Sequence, residues 1–347
     1  MLNSSSSIKK LNQQAMANHL ANFPQQCLLA YQQAKQLKIP SAYQEIREIV
    51  IVGMGGSGIS GELIKYLPTK CPVVPVHNYQ LPSFVKRLSL VILVSYSGQT
   101  KEVISCLKEA RQKKAKILVI SSGGQLLNQA KKLAIPYFKI DYLSPPRVAL
   151  SWLFFGLLVI FKKLALITLS NDEIKKIINQ LTKFNQDLIP KQSTKKTNLA
   201  KRLGQRLSNH CLLIISADFL TPVSYRWQTQ FAENGKQIAF SLACPELCHN
   251  FIETISTLQT NNFFVFLLQS KFYQKNNQKI INLLIDRFKK YKINYYLVKS
   301  SASTQIGQLL SCILLGDWIS FYLAISKNID PIPVKEIEYF KQLINKK

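Results

Sequence analysis

Glycine and hydroxyl residues concentrate in one stretch near the start of the chain. Four apolar residues at 49–52 lead into several glycines and Ser57, and a helical spacing of apolar residues begins at Leu63. Glycines let backbone N–H groups approach an anion closely, and the amino end of a helix favours negative charge. A strand, a glycine turn and a helix with a serine hydroxyl therefore predict a phosphate-binding turn.

The glycine spacing is compatible with more than one kind of phosphate site. A Walker loop ends in Gly-Lys-Ser/Thr, and no lysine stands at position 58 or 59, which argues against a nucleoside triphosphatase. The pattern Gly53-x-Gly55-x-x-Gly58 fits a dinucleotide fingerprint. That fingerprint expects an acidic residue about twenty positions later, but the second predicted strand ends in His77 and Asn78.

A second turn rich in hydroxyl groups follows the apolar run 90–94. Ser95, Ser97 and Thr100 lie just before a helical stretch, where their hydroxyls and the backbone amides can surround one phosphate. Two such turns, which follow one another about one strand–helix unit apart, favour a sugar-phosphate site. Serine and glycine are also common in ordinary turns between strands and helices, which is the alternative for each turn taken alone.

The elements that position these turns alternate between strand and helix. A helical region is predicted at 11–36, and the strands are predicted at 49–52, 73–76, 90–94, 116–120 and 136–140. Helices are predicted near 61–67, 100–113 and 148–161. This alternation predicts a parallel sheet with helices on both faces and ligands at the carboxyl ends of the strands.

The second half of the chain repeats the alternation. Strands are predicted at 210–216, 238–242, 262–268 and 294–298, and helices at 221–234, 251–258, 274–291 and 305–326. The fold class is therefore α/β, with two tandem αβα sandwich domains and parallel sheets. The first domain is placed at 1–165 and the second at 166–347, and a linker-like polar patch lies at 190–196.

Composition limits the function classes and the partners. The formal charge of +27 is spread along the 347 residues and no zinc finger, homeodomain or RNP signature occurs, which argues against a specific nucleic-acid partner. The apolar segment 148–161 is too short to span a bilayer, and residues 1–10 have no apolar signal region. No membrane partner is therefore predicted. Seven cysteines without a C-x-x-C pair indicate reduced thiols in a cytoplasmic protein.

Two candidate acid–base groups stand in the second half, which lacks a glycine–serine turn. Glu233 closes a predicted helix and His249 begins another. Aldose–ketose isomerisation needs such groups, because a base moves a proton between C1 and C2 through an enediolate while a second group opens the sugar ring. Each residue is also compatible with a structural role. Cys244, Cys248 and His249 suggest a metal site, but no fourth partner is recognised elsewhere in the sequence.

Six motifs then occur in the order found in one family: GMGGSGISG, SYSGQTKE, SPPRVALSW, the helix end Glu233-Asn234, PELCHNF and DPIPVKEIEYFK. From about residue 45 to its end, the chain resembles the bifunctional phosphoglucose/phosphomannose isomerases of the sugar isomerase (SIS) domain superfamily. The resemblance implies two tandem SIS domains. The first carries the phosphate-binding turns, and the second carries the catalytic glutamate and histidine and a C-terminal helix.

The resemblance also implies roles for individual residues. Arg147 stabilises the enediolate, Glu233 transfers the proton, His249 opens the ring, and Lys341 is the counterpart of a C-terminal catalytic lysine. The residues implied to bind the phosphate, directly or by permitting close approach, are Gly55, Gly56, Ser57, Ser95, Ser97 and Thr100. The implied reaction interconverts glucose 6-phosphate and mannose 6-phosphate with fructose 6-phosphate, without a metal or other cofactor. The implied assembly is a homodimer in which His249 crosses into the neighbouring site.

Two other functions remain as alternatives. A non-catalytic sugar-phosphate-binding regulatory SIS protein would keep the hydroxyl turns, dispense with Glu233 and His249, and usually carry a DNA-binding helix pair. No such pair is found in the first forty residues. An aminosugar-phosphate isomerase linked to a glutaminase lacks its partner domain here. One departure from the family pattern is His77, where an arginine or another charged residue is expected near the turn.

Overall fold

A computed structural model of the chain describes residues 16–190 and 198–345, and these form two compact units. One unit comprises residues 22–182, and the other comprises the described residues before 22 and after 182, including helix α1 (Met16–Ala21). The domain ranges 1–165 and 166–347 stay a prediction. The predicted linker patch, apart from Pro190, lies outside the described residues, as do residues 11–15 of the predicted first helix.

The 22–182 unit is built on a five-stranded parallel sheet in the order β2-β1-β3-β4-β5. Its strands are β1 (Glu48–Val52), β2 (Val73–Val76), β3 (Ser89–Val94), β4 (Lys116–Ser121) and β5 (Tyr137–Lys139). All six residues of β3 are buried, as expected for a parallel sheet covered on both faces. All five predicted strands are confirmed. The chain order reverses between β1 and β3, and ligands collect at the carboxyl ends of strands beside such a reversal.

Five helices belong wholly to this unit: α2 (Phe23–Ala34), α3 (Gly55–Lys65), α4 (Lys101–Gln112), α5 (Gly124–Lys132) and α6 (Leu150–Lys163). A sixth, α7 (Asn171–Gln186), begins in it. Helix α3 begins at residue 55, so the predicted helix start near residue 61 is wrong. The glycines that indicated a turn form the first turns of the helix, and at positions 56, 58 and 61 close neighbours leave little room for a side chain. A Cβ on Gly61, for example, would lie 2.9 Å from the Ile51 side chain.

The other unit contains a four-stranded parallel sheet in the order β7-β6-β8-β9. Its strands are β6 (Cys211–Ala217), β7 (Ala239–Cys244), β8 (Phe263–Gln269) and β9 (Asn294–Lys299). The helices around it are α8 (Leu199–Gly204), α9 (Thr221–Glu233), α10 (Lys275–Lys290), α11 (Gln305–Ser326) and α12 (Lys335–Asn345). Both sheets and their flanking helices confirm the predicted α/β class.

The predicted helix at 251–258 is a 3₁₀ helix, Phe251–Thr257. The hydroxyl of Thr254 donates to the carbonyl of Phe251, and the hydroxyl of Thr257 donates to the carbonyl of Thr254. Such bonds from side chains to backbone carbonyls three residues back compete with regular helix formation.

Helix α11 is the central core helix of its unit. Among the described residues it is the one helix long and apolar enough to cross a membrane, and 94% of its most apolar 18-residue window is buried inside the protein. It packs against α8 and α9, and all but its first and last few residues are buried. Burial of this kind is typical of the core helix of a folded domain.

Candidate active site

The first predicted phosphate-binding turn joins β1 to α3. Gly55 adopts a left-handed φ of +50°, a conformation that favours glycine. A Cβ on Gly56 would lie 3.1 Å from the Cα of Arg147, and one on Gly58 would lie 2.6 Å from the carbonyl oxygen of Gly53. Glycines at these positions therefore let α3 begin close to two other stretches of backbone, with its amino end at the carboxyl edge of the sheet.

The second turn joins β3 to α4. The Ser95 hydroxyl is buried, lies 2.8 Å from the Thr100 hydroxyl and accepts a 3.1 Å hydrogen bond from the backbone N–H of Gly98. Ser97 is exposed, and its hydroxyl accepts a 3.3 Å hydrogen bond from the backbone of Gln99. Thr100 has an extended backbone and immediately precedes α4. The turn thus presents hydroxyl groups beside a helix amino end.

A direct hydrogen bond joins the two turns. The backbone N–H of Tyr96 donates to the Ser57 hydroxyl over 3.1 Å, and Ser57 is buried. The two turns, each of which leads into the amino end of a helix, therefore meet where the strand order reverses. Helix amino ends and hydroxyl donors together form an arrangement that binds anions. Six of the predicted site residues, in the two turns, are brought to this one edge of the sheet.

The loop that carries Arg147 reaches the same edge. Arg147 is 4% exposed and lies in a 3₁₀ helix, Pro146–Val148, whose backbone touches the first turn of α3 at Gly56. The hydroxyl of Tyr96 donates to the carbonyl of Tyr142 and accepts a 2.8 Å hydrogen bond from the backbone of Ser144. Tyr96 thus connects the second turn to the loop that leads to Arg147.

Tyr96 and its contacts were missed by the sequence analysis. The backbone carbonyl of Tyr96 accepts hydrogen bonds from Ser122, 2.6 Å from its hydroxyl and 3.0 Å from its backbone N–H, so three loops meet at this residue. The only available signal was a large aromatic side chain inside a turn of small polar residues. Its partners come from loops 26 and 46 residues away, and no local pattern indicates them.

Glu233 is the last residue of α9, and α9 is fixed to α11 by buried polar contacts. The Arg226 guanidinium lies 2.7 Å from the Asp317 carboxylate, and both side chains are at most 2% exposed. The Gln230 amide donates to the same carboxylate over 3.0 Å. Directly after Glu233, the buried Asn234 amide donates to the Ser320 hydroxyl over 2.9 Å. These contacts set the position of the helix end.

The turn that follows Glu233 is held by a lysine ammonium. The Nζ of Lys327 donates to the carbonyls of Gly235 and Lys236, at 2.9 and 3.0 Å, and to the Gln237 side chain at 3.0 Å. Partial burial lowers the pKa of Lys327. A cation is also favourable beside the carboxyl end of a helix. The backbone around Glu233 is therefore tied down on both sides, while its side chain is half-buried.

His249 lies beyond the carboxyl end of the edge strand β7, in the 3₁₀ helix Glu246–His249, and it is exposed. Lys341 is exposed on α12. In the part of the chain that the structure describes, no group of three or more His, Cys, Asp or Glu residues is placed to hold a metal ion. Burial raises the pKa of Cys244 to about 12, so this thiol is protonated at neutral pH.

Within their common unit, Glu233 and His249 lie at opposite ends of the parallel strands, Glu233 near the amino ends and His249 beyond the carboxyl ends. Helix α9 follows β6 and returns to the start of that strand, where Leu212 donates its backbone N–H to Ile238 over 3.1 Å. Strand β7 then runs parallel to β6 for six residues, and His249 follows its far end. At about 3.3 Å per residue, that strand separates the two ends by roughly 20 Å.

Two family descriptions match separate parts of the chain. Residues 43–137 match the SIS domain, and residues 196–344 match the bacterial phospho-glucose isomerase C-terminal SIS domain. A hypothetical protein from Thermus thermophilus has a similar solved structure, with a TM-score of 0.74 and 13% identity, covering 98% of this chain and 93% of that one. Together with the two parallel sheets, these matches define a protein of two SIS domains.

Curated relatives give the family. The bifunctional phosphoglucose/phosphomannose isomerase of Caldicellulosiruptor bescii is 33% identical over 334 residues, covering 94% of this chain and 98% of the relative. The enzyme of the same name from Aquifex aeolicus is 31% identical over 306 residues, covering 86% of this chain and 90% of the relative. The chain belongs to the bifunctional phosphoglucose/phosphomannose isomerase family.

Proposed function

We propose that the chain interconverts glucose 6-phosphate and mannose 6-phosphate with fructose 6-phosphate through a cis-enediolate, without a metal or other cofactor. Membership in the family makes it a sugar-phosphate isomerase, an intramolecular oxidoreductase. The observation that supports the substrate class most directly is the hydrogen bond between Ser57 and Tyr96, which joins two turns rich in hydroxyl groups at two helix amino ends. A sugar phosphate offers the dianionic group that such a site favours.

In this proposal the phosphate lies against the amino ends of α3 and α4. Ser57, Ser95, Ser97 and Thr100 supply hydroxyl donors, and Gly55 and Gly56 leave room for the anion beside the helix backbone. The bond between Ser95 and Thr100 holds their hydroxyls 2.8 Å apart, so they are already gathered before substrate binds. Pre-organised donors of this kind cost little reorganisation when the anion arrives.

Arg147 is the cation proposed to stabilise the enediolate. It is 4% exposed, and in a buried setting a positive charge interacts more strongly with a developing oxyanion than it would in water. The loop that carries it contacts Gly56 and is anchored by Tyr96, so its backbone is fixed relative to the phosphate-binding turns.

Glu233 is proposed as the base that moves the proton between C1 and C2. The bonds of Arg226, Gln230 and Asn234 to α11 fix the helix end from which it projects. A positioned general base contributes about 10²- to 10⁴-fold to the rate of proton transfer. Lys341, exposed on α12, is proposed as a further catalytic group.

His249 is proposed to open the sugar ring in the site of a second subunit of a homodimer. Glu233 and His249 lie at opposite edges of one sheet, so a single chain cannot bring both to one hexose, which is far shorter than the separation of about 20 Å. A second copy removes that difficulty, and the exposure of His249 leaves it accessible to a partner. The seven cysteines are free thiols, which supports the proposed cytoplasmic location.

A coupled assay tests the proposal. Fructose 6-phosphate formation is followed from glucose 6-phosphate and from mannose 6-phosphate, each with EDTA present. Glu233→Gln is expected to lower kcat about 10²- to 10⁴-fold for both substrates, whereas Asp286→Asn, an exposed carboxylate on α10, is expected to leave kcat unchanged. Binding of either sugar phosphate without turnover would refute the enzyme and favour the regulatory sugar-phosphate-binding protein.

A further inference from the structure

His77 follows β2 and lies beside the first phosphate-binding turn. Its Nδ1 is 2.6 Å from the carbonyl oxygen of Gly53, and its Nε2 is 2.9 Å from a carboxylate oxygen of Glu62 on α3. The ring thus joins the residue that enters the turn to the helix that leaves it.

Both partners of the ring are hydrogen-bond acceptors. A carbonyl oxygen accepts only, and an ionised carboxylate accepts only, so both ring nitrogens must carry protons to donate to them. The arrangement therefore fits the imidazolium form of His77. The hydrogen bond to Glu62 raises the pKa of His77, the bond to Gly53 adds to this, and partial burial opposes it. The groups that face the ring are the Glu62 carboxylate from α3 and the Gly53 carbonyl from the turn after β1.

The ring sits close against the backbone of the turn. A Cβ on Gly58 would lie 2.8 Å from the His77 ring and 2.6 Å from the Gly53 oxygen, so glycine at 58 is what admits the ring. The backbone N–H of Gly53 also donates to Val76 over 3.1 Å. Both polar backbone groups of Gly53 are thus held by two consecutive residues at the end of β2.

We propose that His77 is a positioning residue whose imidazolium form fixes the turn at Gly53 and the first turns of α3 in the geometry that binds the substrate phosphate. This inference rests on the proposed phosphate site. A neutral ring keeps only one of its two protons, so either the Gly53 carbonyl loses its donor or a ring lone pair faces the Glu62 carboxylate. In both cases the link between the turn and α3 is broken, and phosphate affinity falls.

Glu62→Gln tests this link without touching a phosphate ligand. The glutamine oxygen accepts a hydrogen bond from the imidazolium, and the glutamine N–H donates to Nε2 of a neutral ring that keeps its proton on Nδ1, so the variant keeps the link in both protonation states. We expect the ratio of variant to wild-type KM for glucose 6-phosphate to be near one at low pH. Above the pKa of His77 in the wild type, where only the wild type loses the link, the ratio should fall about tenfold, the effect of one lost charge-assisted hydrogen bond. The value of kcat should be unchanged throughout.

The substrate phosphate ionises in the same way with both proteins, so its titration cancels in the ratio of the two KM values. Asp172→Asn, an exposed carboxylate beside Lys175, serves as the matched control and should follow the wild type at every pH. Ser57→Ala, which removes a proposed phosphate ligand, should raise KM by a factor independent of pH. The imidazole signals of His77, among four histidines, give its pKa directly by NMR. Thermal melting shows whether each variant is folded.

Calorimetric binding of fructose 6-phosphate to the same variants separates the two proposals. If binding follows the expected pH pattern without turnover, the positioning role is supported and the isomerase reaction is refuted. A KM ratio and a binding ratio that stay constant across pH, in a wild type that turns over, would overturn the role of His77 alone. An ordinary pKa for His77 in the folded wild type would overturn it as well.

Discussion

Mixed dimers of two inactive variants test whether one active site takes its histidine from a second chain. Within one chain, Glu233 and His249 lie near opposite ends of a strand that is about 20 Å long. We consider Glu233→Gln and His249→Asn, each inactive alone. If each site takes Glu233 from one chain and His249 from the other, then a mixed dimer has one intact site and one site that lacks both groups.

The recovered activity follows from counting sites. Equal mixing makes about half of the dimers mixed, and each has one intact site of two, so about a quarter of the wild-type kcat should return. If both residues instead served the same chain's site, every site would lack one group and no activity would return.

A second mixture serves as the control. Wild type is mixed with a chain that carries both substitutions, and about a quarter of the activity is expected if the histidine crosses, against about a half if it does not. Two different affinity tags confirm that mixed dimers have formed, and the coupled assay for fructose 6-phosphate gives kcat. No recovery in the first mixture, with mixed dimers present, would refute the reasoning.

Three further predictions concern stability. Gly98→Ala should destabilise the protein by about 2–5 kcal/mol, because Gly98 has a φ of +65° and a Cβ would lie 1.8 Å from the Gly123 carbonyl oxygen. Urea unfolding measures this loss, and Gly123→Ala, where the Cβ would meet open space, is the control. Arg226→Met should cost about 3–5 kcal/mol, because the buried Asp317 carboxylate loses its cationic partner. Adding Asp317→Leu should recover part of that loss, measured in the same way. Glu62 raises the pKa of the His77 ring, so wild type should be more stable than Glu62→Gln below the ordinary histidine pKa. This difference in the free energy of unfolding should disappear as the pH rises through the raised pKa. Unfolding free energies at about pH 5.5 and above about pH 9 check this, and a constant difference would contradict it.

The elements of the first sheet were predictable because each strand is a continuous apolar run between turn residues. The run at 90–94 is the clearest case, and β3 occupies 89–94 with every residue buried. Helix α3 was placed six residues too late, since glycine is a weak helix former and its role here is to admit neighbouring backbone. The contact of Gly56 with Arg147 comes from a residue about ninety positions away, and no local pattern carries that information.

The candidate site, like the fold, was predictable from the sequence only in part. The hydroxyl turns were recognisable from residue type and spacing, and their meeting at one edge of the sheet follows from the parallel topology. The roles of Tyr96 and His77 were not recognisable. Each acts in part through backbone groups, such as the carbonyls of Gly53 and Tyr142, and every residue type offers those groups, so a sequence does not mark them.

The sequence by itself determined the class of fold, the order of its elements and the types of residue available for chemistry, because apolar periodicity and turn chemistry are local properties of the chain. Only the tertiary structure decided which of those residues meet. It placed Ser57 against the turn after β3 and the His77 ring beside the carbonyl of Gly53. It also put Glu233 and His249 at opposite edges of their sheet, because the directions of strands and helices decide which chain ends share an edge.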